Sequence, residues 1–210
     1  MAARKSKVPH WVNVEDAQKT TVGTIKGLLT DMDCASIEKV VERLLGFEDP
    51  VSNNNQNAIH ENKMCLVINK TSGNNLVRQG APLVLAKIMH FAKTAVEREG
   101  WAKPGMPLHN IRTKPEKYEV RTVERWRYEV GGSLVDELHF DHGSLLTLVV
   151  ALDDGYEGGI FRTFEADGTH AEHHMNRGDA VCFLSHKYHN VTPVTKGRRH
   201  SMVIELWEGK

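Results

Sequence analysis

The chain has 210 residues, 40% hydrophobic and 26% charged, enough for one compact domain with a sizeable core and too ordinary for wholesale disorder or a fibre. Lysine plus arginine equals aspartate plus glutamate at 27 each, so no net field draws nucleic acid or an anionic membrane, and neither partner is expected. No apolar run approaches the roughly 20 residues of a membrane span. The basic N-terminus has no apolar stretch behind it, and Cys34, Cys65 and Cys182 form no close pair, so a cytoplasmic, reducing location is expected.

Residues 1–12 read as a flexible tail and residues 14–31 as mixed loop and helix. From Asp33 a helix is predicted: Ile37, Val40, Val41, Leu44 and Leu45 share one face, Asp33 or Ser36 caps its start, and Gly46 stops it. The polar stretch 48–63 reads as a surface loop, followed by a short strand at 64–69. A second helix is predicted over 81–98, with Leu83, Val84, Ile88, Phe91, Ala92 and Ala95 at helical spacing and Gly100 at its end. Pro104, Gly105 and Pro107 then mark another loop.

After Lys117 the period changes to two: Tyr118, Val120, Thr122, Glu124, Trp126 and Tyr128 alternate with their neighbours in a β-rich stretch. Further strands are predicted at 145–152, 159–164, 169–174, 180–184, 187–193 and 199–207, separated by glycine-bearing turns. Helices followed by many short strands predict an α+β chain whose C-terminal half is an all-β sandwich or barrel. The expected organisation is the tail, a helical part at 13–117 packing on the barrel, and a β domain at 118–210.

The strongest chemical signal is His139-Phe140-Asp141, with His189 following much later. On an extended strand, positions i and i+2 project to one side, so His139 and Asp141 can reach one metal together, with a third ligand from a distant strand. Two histidines and a carboxylate on one face of an octahedron leave sites open, the arrangement of non-haem Fe(II) oxygenases. Arg199 lies ten residues past His189, across the Lys196-Gly197 turn. A guanidinium there suits bidentate capture of a carboxylate, as a chelating keto diacid would require.

Residues 124–208 resemble the prolyl-4-hydroxylase-type branch of the Fe(II)/2-oxoglutarate-dependent dioxygenases. The resemblance rests on Arg127-Tyr128 with Gly131, His139-x-Asp141, the apolar run from Leu146 to Asp153 and Tyr156-Glu-Gly-Gly159. It continues through Arg177-Gly-Asp-Ala-Val-Cys-Phe183, His189-x-Val-x-Pro and Gly197-x-Arg199-x-Ser201. It implies a double-stranded β-helix (jelly roll) core with supporting N-terminal helices. It implies iron ligation by His139, Asp141 and His189, capture of the 2-oxoglutarate carboxylate by Arg199, and Tyr128 lining the co-substrate pocket. Thr147 is a further candidate for that pocket. The implied activity is hydroxylation of a C–H bond with release of succinate and CO2, using 2-oxoglutarate and dioxygen, with ascorbate in support. The substrate is a peptide, protein or small molecule, with a peptidyl proline leading and a free amino acid or metabolite open. A jelly-roll binding module without turnover is the alternative. Three departures from the resemblance bear on selectivity: a longer interval from Tyr128 to His139, Ala151 where relatives carry tyrosine, and Asp153 for asparagine.

Several residues compete for these roles. His186 is a rival distal ligand but faces oppositely to His189 on a strand, and Arg198 is a rival clamp of the wrong parity. By alternation His142 is expected to point away from Asp141, beside the site or at the surface, and His200 to be exposed. His170, His173 and His174 are expected to be solvated strand residues rather than a second metal site. Trp207 and Cys182 read as core.

Overall fold

The computed structural model describes residues 13–47, 59–60, 63–70, 76–106, 108 and 118–208. The expected tail at 1–12, most of the 48–63 loop and much of the stretch after Met106 lie outside these residues. Four helices precede most of the sheet: α1 (Val14–Gln18), α2 (Asp31–Phe47), α3 (Leu76–Gly80) and α4 (Pro82–Arg98). Among them run β1 (Gly23–Ile25), β2 (Ile59–His60) and β3 (Lys63–Lys70).

The C-terminal part is all strand: β4 (Tyr118–Tyr128), β5 (Leu146–Ala151), β6 (Glu157–Gly158), β7 (Phe161–Phe164) and β8 (His170–His173). It ends with β9 (Ala180–Leu184), β10 (His189–Val191), β11 (Val194–Lys196) and β12 (Arg199–Glu208). A seven-stranded sheet runs β1-β9-β5-β12-β4-β3-β2. A three-stranded sheet β10-β7-β8 and the pair β11-β6 complete the double-stranded β-helix.

Two layers of core follow from strand alternation. Leu146, Leu148 and Val150 of β5 pack with Ile37, Val40 and Val41 of α2 and with Ile88, Phe91 and Ala92 of α4 in one apolar cluster. Val149 faces the other way, into a second cluster with Val181 and Phe183 of β9, Phe161 of β7 and Val191 of β10. Central strands are therefore buried on both faces, which is why β5 reads as a continuous apolar run. Each fully buried aliphatic side chain contributes about 1.5–3 kcal/mol.

The helices differ from expectation in detail. α2 starts two residues early because Thr30 and Asp33 cap it reciprocally, the Thr30 amide donating to Asp33 Oδ2 at 2.8 Å and the Asp33 amide to Thr30 Oγ1 at 3.3 Å. Gly46 lies inside the helix rather than ending it. The side chains of Leu44 and Leu45 lie outside the described residues. On α4, Leu83 is 76% exposed and Leu85 is buried in its place. A loop was expected where β2 forms, and β1, α3 and the β6–β11 pair were not anticipated. Among the described residues no helix is long and apolar enough to cross a membrane.

Candidate active site

His139, Asp141 and His189 meet between the two sheets, with one ligand atom from each lying within 4.8 Å of the others. Asp141 Oδ1 is 3.4 Å from His139 Nε2, and Oδ2 is 3.6 Å from His189 Nε2. His139 and Asp141 are not on a ladder strand, contrary to expectation. Two backbone hydrogen bonds hold the segment extended instead: the His189 amide donates to the His139 carbonyl at 3.0 Å, and the Asp141 amide to the Ser185 carbonyl at 2.8 Å. The turn between β9 and β10 thus ties all three residues together.

His189 is buried, its ring 4.9 Å from that of Phe183 and 5.6 Å from that of Phe161. Its Nδ1 is 3.0 Å from the Lys187 carbonyl, which can only accept, so Nδ1 carries the proton and Nε2 keeps a free lone pair toward the cluster. Burial lowers the pKa of His189, keeping the ring neutral. His139, bonded to Asp141, has its pKa raised. Burial works to raise the pKa of Asp141, but positive charge on His189 or His139 when either is protonated, together with hydrogen bonds from His139 and the Thr147 hydroxyl, outweighs it and lowers the pKa.

Thr147, expected to touch the co-substrate, instead holds Asp141. Its hydroxyl donates to Oδ2 at 2.6 Å and lies 2.9 Å from Ser185 Oγ, in full burial. Gln18 of α1 clasps the turn from behind. Its Nε2 donates to the His186 carbonyl and its Oε1 accepts from the Tyr188 amide, both at 2.8 Å. The Lys187 ammonium, with no exposed side-chain surface, donates to the Gln18 carbonyl at 2.9 Å and to Glu165 at 3.0 Å.

A cavity of about 320 Å³ opens beside the cluster. Tyr128 and Arg199 line it from paired positions on β4 and β12. Arg199 is 1% exposed, its Nη1 donates to Ser201 Oγ at 2.9 Å, and its Nε has no partner among the described residues. Its guanidinium carbon lies 5.4 Å from the centre of the Tyr128 ring. Burial pushes the Tyr128 phenol up to about 12, so it stays a neutral hydroxyl. Gly159, at φ +60°, gives Arg199 its room: a Cβ there would stand 2.9 Å from Arg199 Cδ.

The competing residues fall elsewhere. Arg198 is exposed and donates to Glu129 at 3.0 Å. His186 is buried against Phe140, their ring centres 5.5 Å apart, and does not join the cluster. His142 is exposed at the cavity mouth. His200 is not exposed as expected but docked on Asp153, with Nδ1 2.9 Å from Oδ2. His170 and His174 are exposed, whereas His173 is half-buried, 2.9 Å from Thr163 Oγ1, and burial drops its pKa to about 4. Trp207 is half-buried rather than core, and Cys182 is fully buried.

The donor set fits a divalent metal. Two imidazoles and a carboxylate on one face would sit about 3 Å apart at bond lengths of about 2.0–2.2 Å, close to the separations seen here. The unsatisfied buried guanidinium fits the far carboxylate of a keto diacid.

No family profile matches the sequence, and no curated protein matches it. Solved structures do match. A prolyl-4-hydroxylase from Pseudomonas putida superposes with a TM-score of 0.57 at 17% identity, covering 94% of this chain and 97% of that one. The viral collagen prolyl hydroxylase from Paramecium Bursaria Chlorella virus-1, in complex with 2OG, gives 0.55 at 18% identity, over 90% and 96%. A prolyl hydroxylase from Trichoplax adhaerens, in complex with a hypoxia inducible factor peptide fragment, gives 0.56 at 12% identity, over 94% and 88%. The fold of this chain is that of the 2OG-Fe(II) oxygenases, jelly-roll core and supporting helices included.

Proposed function

We propose that the chain is an Fe(II)- and 2-oxoglutarate-dependent dioxygenase that hydroxylates a substrate C–H bond. The observation carrying this is the convergence on one cavity of His139, Asp141 and His189 with the buried, partly unsatisfied Arg199. Fe(II) held by the triad would supply dioxygen activation: one oxygen atom enters the C–H bond as hydroxyl, the other enters succinate, and 2-oxoglutarate loses CO2. Arg199 would pair with the far carboxylate of 2-oxoglutarate, and the neutral Tyr128 hydroxyl would sit beside that carboxylate.

The remaining residues orient and enclose. Thr147 fixes the Asp141 carboxylate, and the Lys187 carbonyl fixes the His189 tautomer. Phe161, Phe183 and Val149 keep water from the inner wall. A peptidyl proline is the substrate that the neighbours' names suggest, and ascorbate would support repeated turnover.

The test is succinate release on addition of Fe(II), 2-oxoglutarate and peptide pools, together with the weak visible charge-transfer band of the anaerobic complex. His139→Ala, Asp141→Ala and His189→Ala should each lose metal binding and turnover, while His186→Ala keeps the metal. Metal retention by His189→Ala and its loss in His186→Ala would move the site.

A further inference from the structure

The inward side chains of β12 run Arg199, Ser201, Val203, Glu205 in steps of two, so the cavity has a guanidinium at one end and a carboxylate toward the other. Glu124 of β4 pairs opposite Val203, which makes it a diagonal neighbour of Glu205 on the same wall. Each acid spends its hydrogen bonds on one oxygen. Oε2 of Glu205 accepts from Arg121 and Ser144, whereas Oε2 of Glu124 accepts from Trp126 Nε1 at 3.0 Å and Cys65 Sγ at 3.7 Å. Oε1 of both has no hydrogen-bond partner among the described residues.

Glu205 has a guanidinium against it, but Glu124 is bonded only by neutral donors. With Asp141, Glu124 and Glu205 all ionised, a divalent metal, a dianionic keto acid, Arg121 and Arg199 leave the cavity one negative charge in excess. Without a cation, burial raises the pKa of both Glu124 and Glu205, the latter to about 7, so a positive group is what would draw the pair into its charged form. That this space takes ligands is indicated by the orphaned Nε of Arg199, buried in the same wall and suited to the co-substrate carboxylate. Trp126, stacked 5.8 Å from Tyr128, adds an aromatic surface of the kind that favours a cation. At about 320 Å³ the cavity stands at the small end of ligand sites, which leaves room beside a co-substrate for one slender group.

Building on the dioxygenase reading, we infer that the substrate presents a cationic nitrogen, a protonated amine or a guanidinium, to Glu124 and Glu205, with the carbon to be oxidised held between that nitrogen and the metal triad. A neutral substrate makes no ion pair with these carboxyls, which burial then keeps nearer their protonated form, so the pocket selects for the cation by a contact that a neutral group lacks.

The test is calorimetric titration of the protein loaded with Mn(II) and 2-oxoglutarate. The probes are Nα-acetyl-lysine amide and Nα-acetyl-arginine amide, set against their norleucine and citrulline counterparts and against Nα-acetyl-proline amide. The cationic probes should bind at least about tenfold more tightly than their neutral matches, and Glu124→Gln should close most of that gap. Glu205→Gln, with thermal unfolding recorded for both variants, is the second variant and should narrow it. Neutral or proline probes binding as tightly as the cations would overturn the inference, as would a gap unchanged in a folded Glu124→Gln protein. Free lysine preferred over the blocked amide marks a small metabolite and equal affinity marks a peptide side chain; both support the cation. Binding of 2-oxoglutarate, measured first, separates the two readings. If it binds and no charge preference follows, the inference alone fails; if it does not bind, the dioxygenase reading fails with it.

Discussion

The hydroxyl of Thr147 donates to Oδ2 of Asp141 at 2.6 Å from a side chain with no solvent exposure. The β-branched residue has a restricted χ1, and Ser185 Oγ, 2.9 Å away, holds the hydroxyl in place. Thr147→Val keeps the shape and removes the donor. Metal affinity is expected to fall by about 10–100-fold, as for other residues that orient a ligand. Titration with Mn(II) measures this, and an unchanged affinity would show that the triad needs no such support.

Removing the guanidinium by Arg199→Ala is expected to raise the KM for 2-oxoglutarate by well over about tenfold, because a carboxylate then enters a buried wall unpaired. Tyr128→Phe should cost about 0.5–1.5 kcal/mol in the same constant. Arg198→Ala, an exposed residue on Glu129, should leave it unchanged. If Arg198→Ala weakens 2-oxoglutarate binding and Arg199→Ala does not, the strand parity assigned to the clamp is wrong.

Gln18 spans the backbone on both sides of Lys187. Gln18→Leu leaves a buried carbonyl and a partly buried amide without their partners, for a stability loss of about 2–4 kcal/mol at about 1–2 per group. Urea unfolding of the metal-free protein reports it. A loss below about 1 kcal/mol would mean that water replaces the clasp.

Burial, then the charges of Asp141 and Glu124, raise the Glu205 carboxyl from an ordinary 4.5 to about 7 in the fold. The folded state therefore binds more protons than the unfolded one between these values. The contribution of Glu205 to stability is fully present below about 4.5 and is lost as pH rises toward 7. The stability of the wild type minus that of Glu205→Gln, both metal-free, should fall across this window and level off above it. A difference that grows with pH would reverse the assignment.

Much of the architecture is legible in the residues themselves. Period-two alternation marks β4, and the apolar runs of β5 and β9 mark strands buried on both faces. The parity that separates Arg199 from Arg198 survives in the fold because β12 is regular there. What escapes has tertiary causes. β1 is only three residues long and is a strand because the edge of β9 is there to pair with it. The extended His139–Asp141 geometry comes from hydrogen bonds to the β9–β10 turn, not from a ladder, although the i, i+2 spacing led to the same two residues. Gln18 and Lys187 carry no local period at all, since their partners lie far along the chain. Glu205 could have been found by continuing the alternation from Arg199 by three more steps.

The clasp of α1 on the β9–β10 turn joins residues 168 positions apart. Contacts of such separation close large loops, and their entropic cost puts them late in folding. The turn bearing His189 is thus expected to gain its final order only after the N-terminal segment has docked, so that metal uptake follows assembly of the barrel rather than nucleating it.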